Sequence, residues 1–289
     1  MWNEQVIVAL PAIYTADDRL DVDRMRQLFE INAKYVDAAF VNGTNGEFAA
    51  LSRSERSQVA NLALSAFGPS RVILHVGAVT TSQVDRLISD GLSAGAKRFA
   101  VTPPLMFATD LRTIESHFAR ARALTKGLDL YAYLFPEIFQ NTVEPESARM
   151  FEHLGLNGLK VSGAAAAKLD KYVQHLSIPV WTGDDRDLAL ALSRGAAGVV
   201  SGCANIDPEA WRSVKDAVAR RDLGGLRLGN ARIDRIVNAV GPSIAHLKLG
   251  LQTLGIGSAR MRLNLPAVPA ADAALIARLS EVVLLSDVS

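Results

Sequence analysis

The sequence predicts a (β/α)8 barrel of the TIM type with a C-terminal helical extension, and three observations carry that prediction. Eight short apolar runs rich in β-branched residues recur along the 289 residues. Stretches with helical periodicity separate them. The runs are apolar throughout, as are strands of a parallel sheet covered on both faces. Eight such strands in a chain of this length favour a closed barrel over an open sheet.

The first run, VIVAL (6–10), precedes DVDRMRQLFEINAKY, in which Val22, Met25, Leu28, Phe29 and Tyr35 recur at helical spacing. AAFVN (38–42) reads as the second strand, and SRSERSQVANLALSAF after it opens with serines suited to cap a helix. VILHV (72–76), RFAVT (98–102), LDLYAYL (128–134), NGLKVS (157–162), IPVWTG (178–183) and AGVVSG (197–202) complete the set. The alanine-rich GAAAAKLDKY reads as a helix start rather than a linker. Residues 1–205 therefore read as the barrel. Residues 206–289 read as helices packed on it, namely the eighth barrel helix and an extension, interrupted by the loop GIGSARMRLNLPAVPA. GIGSAR follows a helix rather than a strand, which rules it out as a dinucleotide fingerprint.

Hydrophobic residues make up 49% and charged ones 21% of the chain, with a formal net charge of +1 and scattered basic residues. Neither a nucleic acid nor an anionic membrane is the expected partner. Cys203 is the only cysteine, which excludes an intrachain disulfide and a thiolate zinc cluster. His75, His117, His153, His175 and His246 have no metal-binding spacing, so no metal is expected. The opening residues lack a basic segment followed by an apolar one, and no run approaches about 18 uninterrupted apolar residues. A cytoplasmic location is the expectation.

Active sites of such barrels lie at the C-terminal ends of the strands. Lys160 stands near the end of the sixth run, in GLNGLKVSGA. Burial disfavours an ammonium, and the neutral amine attacks carbonyls, so a lysine pointing inward there is a candidate nucleophile; a lysine reaching solvent is the plain alternative. After the second run, Gly43, Thr44, Asn45 and Gly46 offer close backbone approach and successive donors for a small carboxylate, although Asn-Gly is also an ordinary turn. Tyr131 and Tyr133 share one face if the fifth run alternates, and a phenol at the mouth can relay protons, although a core tyrosine with one hydrogen bond is commoner. TGDD places Gly183, Asp184 and Asp185 at the end of the seventh run, with at least one of the aspartates read as a helix cap. His75 is the one histidine expected to face the mouth.

Gly43-Thr44-Asn45-Gly46-Glu47, Tyr133 followed by Pro136, Lys160 in GLKVSG, TGDD and GAAGVVSGCAN occur in the order and spacing of one family. Over essentially its full length the chain resembles the dihydrodipicolinate synthase / N-acetylneuraminate lyase family of Schiff-base class I aldolases. The resemblance implies that Lys160 forms an imine with a 2-keto acid such as pyruvate and that Tyr133 shuttles protons. It further implies that Thr44 and the Asn45 N–H hold the keto-acid carboxylate, and that Gly183 and Val200 line the pocket. No metal or organic cofactor is then required.

The departures from that pattern bear on substrate. Family members commonly carry Thr-Thr or Ser-Thr where this chain has Thr44-Asn45, and tyrosines where it has Leu105, Met106 and Phe107. The synthase itself has an arginine at the position of Ile138, and an apolar side chain cannot replace that bidentate carboxylate partner. The expected activity is therefore a pyruvate-type aldolase or lyase acting on a 2-keto-3-deoxy sugar acid or related 4-hydroxy-2-keto acid. The alternatives are a dehydratase using the same imine, the authentic synthase, and a non-catalytic barrel that binds 2-keto acids. A homo-oligomer, dimer or tetramer, is expected, with Leu105-Met106-Phe107 as a contact.

Overall fold

The computed structural model describes residues 5–186, 188–241, 243–281 and 283; the outer limits of the expected division, residues 1 and 289, lie outside them. Eight parallel strands close into one barrel in chain order. They are β1 (Val6–Ala9), β2 (Ala38–Val41), β3 (Val72–His75), β4 (Arg98–Val101), β5 (Asp129–Leu134), β6 (Gly158–Val161), β7 (Val180–Thr182) and β8 (Gly198–Ser201). β8 closes on β1 with Val200 opposite Ile7. All eight predicted strands are present, each of them shorter than its apolar run. In β7 the cause is Pro179, which has no N–H to give a ladder and leaves Val180 as the first strand residue.

Alternate residues point inward, and Ile7, Phe40, Ile73, Tyr131, Trp181 and Val200 fill the barrel. Their sequence neighbours Val6, Val8, Val41, Val72 and Leu74 face the helices and join a larger outer core. Burial on both faces is the reason the runs are unbroken.

The outer ring begins with α1 (Val22–Tyr35), α2 (Arg53–Phe67), α3 (Thr81–Ser93) and α4 (Leu111–Leu124). Shorter helices follow: α5 (Pro136–Phe139), α6 (Arg149–His153), α7 (Leu169–His175) and α8 (Leu188–Ser193). The serine signal before α2 is a capping box, in which Ser52 Oγ accepts from Glu55 N–H and the Glu55 carboxylate accepts from Ser52 N–H. Asp207 caps α9 (Pro208–Arg220), with Pro208 in the first turn, where no N–H is needed.

Three further helices follow, α10 (Leu223–Val240), α11 (Ile244–Thr253) and α12 (Ala270–Ile276). Among the described residues no helix is long and apolar enough to cross a membrane.

The loop between α11 and α12 is anchored on the turn after β2. Lys248 of α11 forms an ion pair with Glu47, and both side chains are fully buried. The other Glu47 carboxylate oxygen accepts from the backbone N–H groups of Arg262 and Leu263 at 2.9 Å each. Lys248 Nζ also donates to the Arg260 carbonyl at 2.9 Å and lies 4.1 Å from the Tyr14 ring centre. Burial pushes the Lys248 ammonium down in pKa, and Glu47 opposes that shift.

Candidate active site

Lys160 points into the barrel near its C-terminal mouth and is 8% exposed. In the sheet it lies opposite Tyr133 on one side and Trp181 on the other. Its Nζ sits 3.9 Å from the Tyr133 ring centre and 4.5 Å from that of Phe40. Among the described residues no carboxylate is within ion-pair distance of this nitrogen. Two aromatic faces take the place of a counter-ion, which leaves the amine free to meet a ligand.

Tyr133 reaches across the barrel to the turn after β2, where its hydroxyl lies 3.1 Å from Thr44 Oγ1. That turn is tight: Glu47 N–H donates to the Thr44 carbonyl at 3.0 Å, and Asn42 and Glu47 both have positive φ. Asn45 fits because residue 202 is glycine, since a Cβ there would sit 2.1 Å from Asn45 Nδ2. The glycine in GVVSGCAN is thus explained by the asparagine in GTNGE, far away in sequence. At the exit of β6, Gly163 has φ +57, and the Ala164 N–H donates to Glu137 Oε1 at 2.7 Å.

These groups open onto one cavity of about 330 Å³. Thr44, Asn45, Tyr133, Lys160, Gly183 and Val200, all singled out from the sequence, line it together. Gly43 lies just beneath, against Phe40. A second cavity of about 370 Å³ lies outside the barrel behind Phe48, walled by Arg53, Arg56 and Arg86, without a nucleophilic side chain.

The expectation for His75 is revised. His75 faces inward from the end of β3 but does not reach the cavity; it is fully buried beneath Phe48, whose ring centre is 4.9 Å away. Its Nδ1 lies 2.7 Å from the Asn42 carbonyl, so this nitrogen carries the proton and Nε2 is bare. Of the paired aspartates, Asp184 makes the local turn contact, accepting from Arg186 N–H at 3.2 Å. Asp185 instead lines the cavity, with Oδ1 shielded from solvent and without a hydrogen-bond partner among the described residues. Burial pushes the Asp185 carboxyl up, while Ser201, Cys203 and Lys160 pull it down. Burial also holds the Cys203 thiol well above its ordinary value, which makes it a poor nucleophile.

Tyr131 and Tyr133 do share the inward face, but at different depths. The Tyr131 hydroxyl accepts from Arg98 Nη2 at 2.8 Å, deeper in the barrel than Lys160.

His75 yields a prediction about acid stability. Burial, aided by the Arg56 charge, lowers its pKa from 6.5 to about 3. Between those values the unfolded chain binds the proton and the folded chain does not, so stability present above pH 6.5 falls as pH drops toward 3. At pH 5 the loss attributable to His75 is about 2 kcal/mol. Urea midpoints at pH 7.5 and 5 should therefore differ more in the wild type than in His75→Asn; equal differences would refute the assignment.

A sequence model of the Dihydrodipicolinate synthetase family matches residues 3–278. The chain belongs to this family. An uncharacterized DapA-like lyase of Halobacterium salinarum is 29% identical over 97% of this chain and 94% of its own length. A 2-dehydro-3-deoxy-D-gluconate/2-dehydro-3-deoxy-phosphogluconate aldolase of Thermoproteus tenax is 30% identical over 72% of this chain and 67% of its own. Among solved structures, a prophage protein of the same family from E. coli K12, determined in complex with pyruvate, superposes with a TM-score of 0.87. That match covers 97% of this chain and 98% of the other at 20% identity and bears on the fold alone.

The polar end of the cavity is lined by residues singled out from the sequence. The opposite wall had no sequence signal. Val240, Ile244 and Leu247 come from α10 and α11, and their periodicity marks them only as core.

Proposed function

We propose that the protein is a Schiff-base-forming, pyruvate-type aldolase that cleaves, or reversibly forms, 4-hydroxy-2-keto acids, the class that includes 2-keto-3-deoxy sugar acids. The observation that carries this reading is Lys160 Nζ, buried between Phe40 and Tyr133 and without a carboxylate partner among the described residues. The sugar-acid aldolase relative supports the same chemistry.

In this mechanism Thr44 and the Asn45 N–H hold the substrate carboxylate, which brings C2 to Lys160. The amine adds to C2, Tyr133 gives its phenol proton to the departing hydroxyl so that water leaves, and a protonated imine forms with Tyr133 left as phenolate. The 4-hydroxyl then gives its proton to the Tyr133 oxygen while the C3–C4 bond breaks. The bonding pair moves into an enamine, and the aldehyde departs. Tyr133 returns the proton to C3, and water hydrolyses the imine to release pyruvate and free Lys160. The 3.1 Å contact with Thr44 orients the phenol for both transfers.

Ile138, 52% exposed at the rim, cannot hold the second carboxylate that a synthase substrate carries, which favours the aldolase reading over the authentic synthase. The test is borohydride reduction in the presence of pyruvate, followed by peptide mass mapping. An adduct on Lys160 is expected, and its absence from folded protein refutes the reading. Tyr133→Phe should lower kcat for retro-aldol cleavage by at least about a hundredfold while leaving Lys160 able to trap pyruvate. Unchanged kcat would remove Tyr133 from the proton path.

A further inference from the structure

The cavity has two chemically distinct ends. Thr44, Asn45, Tyr133, Lys160 and Asp185 gather at one. The outward end is walled by Phe135, Ile138, Val240, Ile244, Leu247 and Leu265. Among the described residues, Lys160 and Asp185 are the only charged side chains that line the cavity. Ser243 also lies in the outer part, but its hydroxyl is 2.8 Å from His246 Nδ1 and accepts from His246 N–H as the cap of α11. Its hydrogen-bonding capacity is therefore largely used within the protein.

From this division we infer that the 4-hydroxy-2-keto acid accepted best carries an apolar group at C4, aryl or branched alkyl, so that the aldehyde released is apolar rather than a polyol. The inference rests on the aldolase reading above and narrows it. A polyol placed against this wall gives up hydrogen bonds to water and regains few, because most of the lining side chains there neither donate nor accept. A phenyl group removes Ile138 and Leu265, exposed by 52% and 40%, from water, and burial of apolar surface favours binding. The 4-hydroxyl falls at the polar end, where Tyr133 takes its proton. For 4-hydroxy-2-oxo-4-phenylbutanoate the C3–C4 bond breaks, the hydroxyl proton moves to Tyr133 and then to C3, and the products are pyruvate and benzaldehyde. The water lost on imine formation is regained on hydrolysis, so no co-reactant is needed.

The experiment compares kcat/KM for 4-hydroxy-2-oxo-4-phenylbutanoate and 2-keto-3-deoxygluconate, read by pyruvate release, in the wild type and in Ile138→Asn. Borohydride trapping of pyruvate is measured on both proteins. The wild type should favour the phenyl substrate at least tenfold, and Ile138→Asn should cut that ratio at least fivefold while still trapping pyruvate. Ile138 is exposed, so its replacement should not disturb folding. Trapping with equal use of the two substrates, or a preference for the sugar acid, overturns the inference and leaves the aldolase reading standing. An unchanged ratio in Ile138→Asn likewise overturns the role of this wall. Absence of trapping in the wild type overturns both.

Discussion

Lys160→Ala should yield a folded protein that forms no borohydride-stable adduct with pyruvate and cleaves 4-hydroxy-2-keto acids at least about a thousandfold more slowly. The size of the effect follows from the loss of the covalent route. Without the imine nitrogen as electron sink, breaking the C3–C4 bond places the electron pair on a simple enolate. The other buried amine, Lys248, cannot substitute, because it is held against Glu47 and Tyr14 and does not line this cavity. The fold should survive, since the substitution removes a buried amine without a carboxylate partner among the described residues and the vacated space adjoins an open, polar-lined cavity that water can fill. Lys160→Arg separates nucleophilicity from charge. It keeps a cation between the two rings, but a guanidinium does not deprotonate, so it too should fail to trap pyruvate. Turnover by either variant within tenfold of the wild type would exclude Lys160 as the nucleophile.

The largest effect on stability is expected at Glu47. Glu47→Ala leaves the Lys248 ammonium buried without its carboxylate and deprives the Arg262 and Leu263 N–H groups of their acceptor. Removing one member of a fully buried pair costs about 3–5 kcal/mol. The pair itself need not be strongly stabilising, because each ion was desolvated to form it. The double variant Glu47→Gln/Lys248→Met should therefore recover much of the loss, with an amide accepting from the two N–H groups and no charge left unpaired. Denaturant midpoints of the three proteins test this, and a double variant no more stable than Glu47→Ala would show that the charges themselves stabilise the fold. Glu47 also closes the turn that carries Thr44 and Asn45, so Glu47→Ala should lose activity in conditions where it remains folded.

The barrel was legible because its cause is local. Strands buried on both faces read as unbroken apolar runs, and helix starts such as Ser52 with Glu55 are written within a few residues. Lys160 stood out for the same reason, as a charge in a run that otherwise has none. Thr44, Asn45, Tyr133, Gly183 and Val200 were singled out together only through the resemblance to one family, since each alone reads equally well as a turn or core residue.

What the chain did not reveal locally depends on closure. The parity of β3 put His75 on the inner face, but only packing beneath Phe48 decided that it lies below the cavity rather than in it. Either aspartate of TGDD could be a helix cap in the sequence, and only the meeting of β7 and β8 sets Asp185 against Ser201 and Cys203. The Glu47–Lys248 pair joins residues 201 apart and the apolar outer wall joins α5 to α10 and α11, and no periodicity or motif encodes which distant surfaces will meet. The sequence by itself determined the barrel and the lysine inside it, because short-range patterning dictates those, and its resemblance to one family singled out the residues at the polar end. Tertiary structure alone decided what faces that lysine from the other side, because facing surfaces are set by long-range packing.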